Sequence, residues 1–351
     1  MLIQFYAPEK LSPSDLDYYL ETGWFRNSVL LHNSRVICLD GDVHSILNIR
    51  LPLKSHTLSK SLRKIKKQND QQFTFKIQKV QLNEAKEKLY QKHMERFKGF
   101  LFESLDQFLF AYGKSSVFNT YEVCVYSNSQ LVAYSLFDLG EESIASLLGI
   151  YDFNYSKNSL GIYTMLLEIQ FAKIKGVDYY YPGYVLDNSS EFDYKLRVGT
   201  MQYLNQSGFW VERDELTETD FPGELIKDKL SSVIELLHDA QIKHTVLLNP
   251  FYTIGYVQPF QDQFSRSTQV ILIVNERGNV GMIDYVFEEN RYQLAEVMED
   301  PRHYKMVDMV VTDDLKDHTV YLTRVMSFTN ILEQTDSTSE LLQAVRDWYS
   351  N

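Results

Sequence analysis

Between residues 121 and 186 the sequence sets three β-rich runs, one helix and a further β-rich run in unbroken succession, an order that few folds can satisfy. YEVCVYS (121–127), QLVAYSLFDLG (130–140) and ESIASLLGIYDF (142–153) are separated by the short turns SNSQ and GEE, the pattern of an antiparallel meander. NSLGIYTMLLEIQFAKIKG (158–176) then reads as a helix, with Ile162, Leu166, Ile169 and Ala172 on one face. Ser159 stands where an N-cap belongs, Lys173 and Lys175 fall in the last turn, and Gly176 is placed to end it. VDYYYPGYV (177–185) follows as a strand. A helix between two strands of one sheet crosses over to a parallel neighbour. The expected core is therefore a mixed sheet in an α+β domain.

That order resembles the GCN5-related N-acetyltransferase fold. The resemblance implies that the strands on either side of the helix splay apart and hold a reactive acyl group between them. A small basic N-terminal domain is expected over residues 1–75, the acyltransferase-like core over 76–200, and an extra α/β region over 201–351. In the first, SPSDLDYYLETGWF carries a helix start at Ser12 or Ser14, and Asp40-Gly41 joins two strands. Helices are expected at 81–97, near 103–112 and at 228–240, and STQVILIVNERGNVGMIDYVF reads as a hairpin.

The chain of 351 residues carries a net charge of −12, which disfavours general affinity for nucleic acid. The charge is uneven, however. From Val43 to Asn69 there is no acid, while Arg50, Lys54, Lys60, Arg63, Lys64, Lys66 and Lys67 all lie there. Such a run serves either as a polyanion-binding patch or as a solvated helix face. Cys38 and Cys124 exclude a disulfide framework. With no signal-peptide pattern and no membrane-length apolar run, a cytoplasmic protein without membrane contact is expected.

Several elements between 151 and 195 then occur together: Tyr151-Asp152, Ser159-Leu160-Gly161-Ile162-Tyr163, Glu168, Gly176, Tyr179, Tyr181, Gly183-Tyr184 and Tyr194-Lys195. In this order they resemble the catalytic region of the aminoacyl-tRNA–protein transferases, both the arginyl enzymes and the bacterial leucyl enzymes. GWFRNS (23–28) and NIRLPLKSHTLSKSLRKIKKQN (48–69) resemble that family's N-terminal segments. The similarity spans about residues 18–198.

The resemblance implies transfer of an amino acid, Arg or Leu/Phe, from charged tRNA to the α-amine of proteins beginning with Asp or Glu, marking them for degradation. Charged tRNA and acidic protein N-termini would be the partners, and no cofactor is implied beyond aminoacyl-tRNA as co-substrate. Such chemistry needs a proton acceptor, donors to an oxyanion and a means of holding both substrates. Asp152, at the strand end, is a candidate acceptor or amine-orienting group, or else a turn former. Tyr163 is a candidate for positioning the acceptor or donating to the oxyanion, or else a packing residue. Glu168 is either a second carboxylate or a solvent-facing or ion-paired side chain.

Lys195, Arg26 and Arg50 are candidates to neutralise an acidic acceptor or a phosphate, with structural ion pairs as the alternative. Tyr151, Tyr184 and Tyr194 complete the candidate substrate-binding set. Tyr179 and Tyr181 share one strand face and Tyr180 the other; the pair either lines a cleft or fills a core. Lys60, Arg63, Lys64, Lys66 and Lys67 are the candidate tRNA contacts.

Two features depart from the family. Its N-terminal cysteine cluster is missing, and Cys38 with His44 cannot fill a tetrahedral site, so no metal is expected. The stretch after Lys195, LRVGTMQYLNQSG, also differs from the family's pattern. Alternatives are a coenzyme-A-dependent N-acyltransferase, transfer from tRNA to a non-protein acceptor, and a non-catalytic binding descendant. Against the first, YSKNSLGIYT lacks the glycine spacing of a pyrophosphate loop.

Overall fold

The computed structural model describes residues 1–96, 102–111, 116–258, 260, 262–303 and 319–350. The chain opens with β1 (Ile3–Tyr6), α1 (Pro13–Glu21), β2 (Phe25–Asn27), β3 (Leu30–Ser34), β4 (Val36–Leu39) and β5 (Asp42–Pro52). Next come α2 (Lys60–Gln72), β6 (Thr74–Lys79), α3 (Glu84–Met94) and α4 (Leu105–Phe110). β7 (Thr120–Ser127), β8 (Gln130–Leu139), β9 (Ser143–Tyr151), α5 (Leu160–Lys175) and β10 (Tyr179–Leu186) then realise the expected succession, followed by β11 (Gln202–Leu204) and β12 (Trp210–Val211). The predicted ends of the helices at 97 and 112 lie outside the described residues.

The chain forms two compact units that differ from the three-part division expected from sequence. One comprises Phe5–Asn33 and Leu47–Leu216, the other Met1–Gln4, Ser34–Ile46 and Thr217–Asn351. The reason is β5. Its second half is laid into the large sheet between β10 and β11, so residues up to 75 do not stand apart from the core.

In the first unit the strands run in the order β12-β11-β5-β10-β9-β8-β7-β6. β6 to β9 are antiparallel neighbours, and β10 is parallel to β9. The parallel pairing holds only for Tyr179↔Ser143, Tyr180↔Ile144 and Tyr181↔Ala145. Beyond it β9 stays with β8 as far as Ala133↔Tyr151, while β10 lies beside β5. The sheet therefore opens between β9 and β10. A register shift at the opening pairs Leu136 with Leu148 and Phe137 with Ser146, leaving Leu147 as a bulge that bends β9.

α5 covers one face of this sheet. Gly176 closes it at φ +76° as expected, whereas Ser159 sits at φ +53° and makes no side-chain capping bond. The helix is not amphipathic but buried nearly all round, Thr164 and Glu168 included. On the other face α3 and α4 pack Leu89, Tyr90, Leu105 and Leu109 against Cys124, Tyr134, Leu136 and Ile150. α1 adds Leu16 and Leu20 against Ala145 and Tyr181. Its start is fixed by a capping box in which Ser12 Oγ accepts from Asp15 N at 3.1 Å and Asp15 accepts from Ser12 N at 2.9 Å.

The second unit contains α6 (Pro222–Asp239), five strands and the closing helix Thr338–Tyr349. Its antiparallel sheet runs β13 (His244–Leu248), β14 (Gln269–Val274), β15 (Val280–Val286), β16 (Arg291–Glu299) and β17 (Met326–Thr335) in sequential order. The two helices bury Ile226, Leu230, Val233, Leu341 and Val345 against Ile271, Ile283 and Leu294. The expected hairpin at 267–287 is β14 with β15. The Asp40-Gly41 turn joins β4 and β5, both residues at positive φ.

Candidate active site

The chemistry gathers where β9 and β10 part. Ser146, Leu147 and Leu148 are half-buried and Gly149 is exposed, while the paired residues Ile144 and Ala145 are buried. Strand alternation places Tyr180 and Ile144 toward α5, and Tyr179, Tyr181 and Ala145 toward α1.

Under the opening lies Glu168, from the middle of α5 and 0% exposed. One carboxylate oxygen accepts the Tyr180 hydroxyl at 2.7 Å, and the other has no hydrogen-bond partner. Burial pushes its pKa up to about 7, against the opposing pull of the Ser135, Tyr180 and Ser146 hydroxyls. Glu168 is thus neither solvent-facing nor ion-paired. It is a buried acid poised near neutrality, and Ser146 near it is half-buried. Tyr180, which the sequence reading did not select, is its partner. The alternation signal separated Tyr180 from its neighbours but did not say which face meets α5.

The 3-10 segment Glu191–Val198 lies against β10 and carries Tyr194 and Lys195. Desolvation raises the Tyr194 pKa to about 12, with the charges of Glu168 and Glu191 adding to it. The Lys195 ammonium donates to Tyr184 O at 2.9 Å and sits 4.9 Å from the ring centres of both Tyr184 and Phe192. Desolvation lowers its pKa to about 8, with Glu191 pulling the other way. Tyr184 also meets Phe25 edge-on. Glu168, Tyr180, Tyr184, Tyr194 and Lys195 therefore belong to one neighbourhood.

The other candidates have separate places. Asp152 is 8% exposed at the end of β9 and accepts from Asn154 N at 3.0 Å, capping the 3-10 segment Phe153–Asn158. Tyr151 is exposed, its ring beside Gly161 at the start of α5. The Tyr163 hydroxyl donates to Asp70 on α2 at 2.8 Å, so the expectation that it serves an oxyanion is corrected. Asp70 also accepts from Lys66 at 2.7 Å.

Arg26 and Arg50 are corrected as substrate contacts. Arg26 is sealed in, its guanidinium paired with Asp138 at 3.0 Å and bonded to Thr120 Oγ1, Leu109 O and Ser116 Oγ. Arg50 lies over the rings of Tyr179 and Trp210 at 4.0 and 4.5 Å and donates to Gln202. Tyr181 meets Trp210 edge-on in the same stack. The Tyr179/Tyr181 face thus packs against α1 and is not the cleft wall.

α2 keeps Lys60, Arg63, Lys64 and Lys67 exposed, with Lys66 half-buried. Arg63, Lys66 and Lys67 line a cavity of about 300 Å³ with Leu58, Asp70 and Gln71. The other end of α2 is tied to the approach to α5, where Asn69 Nδ2 donates to Asn158 O at 2.8 Å.

In the second unit the Cys38 thiol faces Thr268 O and Asn249 O, and burial pushes its pKa up to about 12. Among the described residues no group of three or more His, Cys, Asp or Glu is placed to hold a metal.

Residues 74–205 match the family model described as arginine-tRNA-protein transferase, C terminus. An aspartate/glutamate leucyltransferase of Campylobacter jejuni (strain RM1221) is 30% identical over 206 residues, covering 57% of this chain and 83% of that protein. The chain belongs to the aminoacyl-tRNA–protein transferase family. Another aspartate/glutamate leucyltransferase, of Leptospira interrogans serovar copenhageni, is 27% identical over 224 residues, 61% of this chain and 84% of that protein. Membership makes the protein an aminoacyltransferase. Among solved structures, L-PGS from Bacillus licheniformis covers 42% of this transferase and 50% of its own chain at 16% identity and a TM-score of 0.32. At that score the fold assignment stands on this transferase's own topology.

Proposed function

We propose that the transferase moves leucine from charged tRNA to the α-amine of proteins whose first residue is Asp or Glu. The observation that carries the reading is the buried carboxyl of Glu168 beneath the opening of β9 and β10, in a member of this family. The printed names of the Campylobacter and Leptospira relatives support leucine as the donor residue and acidic termini as acceptors. The new terminus would serve as a degradation signal.

The ester of charged tRNA is already activated, so no covalent enzyme intermediate is required. The acceptor ammonium, with a pKa of about 7.7–8.0, must lose a proton before it attacks. Glu168, its pKa about 7, is matched to take that proton in its ionised form, with Tyr180 holding the carboxylate. The amine nitrogen then bonds to the ester carbonyl carbon, and the carbon–oxygen bond to the terminal ribose breaks. The departing ribose oxygen takes up the second proton, which the nitrogen sheds as the amide forms. Asp152, at the wide end of the opening, supplies a carboxylate to hold the incoming ammonium. The exposed cations Lys60, Arg63, Lys64 and Lys67, with Lys66, supply phosphate contacts along the tRNA.

The deciding experiment is transfer of labelled amino acids from bulk charged tRNA to peptides beginning Asp, Glu or Ala. Labelled leucine on the acidic peptides alone is the expected result. Labelled arginine there would change the donor, and absence of any label with a folded protein would overturn the reading.

A further inference from the structure

Buried cations such as Lys86 and Arg26 have counter-ions. Lys86, 1% exposed, is paired with Glu122 at 2.6 Å, and Arg26 with Asp138 at 3.0 Å. That is the ordinary rule, since an unpaired buried charge is costly. Lys195 breaks it. No carboxylate among the described residues comes within ion-pair distance of its ammonium, which has three protons to donate and gives one to Tyr184 O.

Its surroundings are shaped around that ammonium. Tyr184 and Phe192 turn ring faces toward it, a favourable setting for a cation that also keeps water away. The backbone of β10 approaches it at Gly183, where φ is +99° and an added Cβ would stand 3.4 Å from Nζ. Gly183 and Tyr184 lie on the part of β10 that has already left β9. The preceding residue, Tyr194, feels the charge of Glu168. The unpaired cation and the buried carboxyl thus border the same opening.

We propose that Lys195 is the specificity residue of the acceptor site: its ammonium takes the side-chain carboxylate of an N-terminal Asp or Glu as its missing counter-ion. This rests on the proposed transfer to acidic termini. Recognition of this kind discriminates strongly, because a neutral isostere leaves a desolvated charge without its partner. An Asn terminus has nearly the shape of Asp and lacks only the charge, which makes it the right competitor.

The test uses the full chain, with Lys195→Met to keep the stem's packing and Lys195→Arg to keep the charge. Thermal melts verify that both are folded. Transfer from bulk charged tRNA and calorimetric binding are each measured with peptides that begin Asp or Asn and are otherwise identical. For the unchanged protein, kcat/KM for Asp over Asn is expected to be on the order of 100-fold or more. In Lys195→Met that ratio should collapse toward one, chiefly through loss on the Asp peptide. Lys195→Arg should restore part of it.

Equal losses on both peptides, or an undiminished preference for Asp, would overturn the proposal. The two readings fail separately. Transfer with selectivity unaffected by Lys195→Met removes Lys195 and leaves the reaction intact. Lysine-dependent binding of the Asp peptide without transfer keeps Lys195 and removes the reaction, and no binding or transfer of either peptide removes both.

Discussion

Charged groups are treated in opposite ways at two places in the same sheet. Beneath α3 and α4, Lys86–Glu122 and Arg26–Asp138 are closed systems. Glu122 also accepts from Gln78 Nε2 at 2.7 Å, and Arg26 places its remaining protons on neighbouring oxygens. At the opening of β9 and β10, among the described residues, Glu168 keeps an oxygen without a partner and Lys195 has no counter-ion. Paired charges hold the fold, whereas these two have pKa values drawn toward neutrality, about 7 and about 8. That is where proton transfer and anion recognition near neutral pH become feasible.

The contrast breaks if the closed pairs prove dispensable. Arg26→Ala leaves Asp138 buried without a counter-ion, held by the Thr120 hydroxyl at 2.6 Å, and a loss of about 3–5 kcal/mol is expected in denaturant titration. Glu168→Gln retains an acceptor for the Tyr180 hydroxyl but cannot take a proton, so turnover should fall about 100- to 10,000-fold with the fold intact. In the unchanged protein kcat should rise with pH through about 7, as Glu168 ionises, and this limb should vanish in the variant.

Stability carries the opposite sign. The folded pKa is raised above the ordinary 4.5, so the stability associated with protonated Glu168 is full below that value and is lost as pH rises through about 7. Melting of Glu168→Gln should lack that decline. A flat comparison between the two proteins from pH 5 to 8 would return Glu168 to the closed class.

Asp152→Asn sharpens the contrast at the wide end of the opening. Asparagine still accepts from Asn154 N, so melting should hardly change, while kcat/KM for the acceptor falls on the order of 10-fold through loss of the carboxylate. Unchanged kcat/KM would leave Asp152 as a cap alone. The smallest effect is expected on α2. Joint replacement of Lys64, Lys66 and Lys67 by Ala should weaken tRNA binding and lower its salt slope by about 2–3, readable by fluorescence anisotropy across salt concentrations.

The succession of strands and helix was legible because local patterns dictate it: short turns force antiparallel neighbours, and Gly176 ends α5 in a left-handed conformation. The basic helix was legible from its charges, while its Ser59 cap appeared only in the structure. The site was less so. Arg26 and Asp138 are 112 positions apart, and nothing local to GWFRNS announces that its arginine is sealed. The helix pattern suggested an exposed face for α5, but α2 and the 3-10 segment Glu191–Val198 pack against it as well as the sheet, which is why Glu168 is dry. The tyrosine alternation was readable, but its sense depends on β10 joining both β9 and β5. Lys195 stood out as a charge and as part of the Tyr194-Lys195 pair, but its ring cage did not, since that depends on Tyr184 folding back toward Phe192.

The closed end of the opening is held by a residue far away in sequence. Asp17, on α1, accepts from Glu141 N and Glu142 N at 3.0 and 2.8 Å and from the Ser143 hydroxyl, fixing the turn that starts β9. These bonds span 124 to 126 positions, and β5 is drawn into the sheet from a comparable distance. A chain emerging from the ribosome has made its first 20 residues long before their partners exist. Contacts of such separation are slow to close, so the opening between β9 and β10 should be among the last features to mature. The stretch 74–205, for all its family likeness, lacks the pieces that finish it.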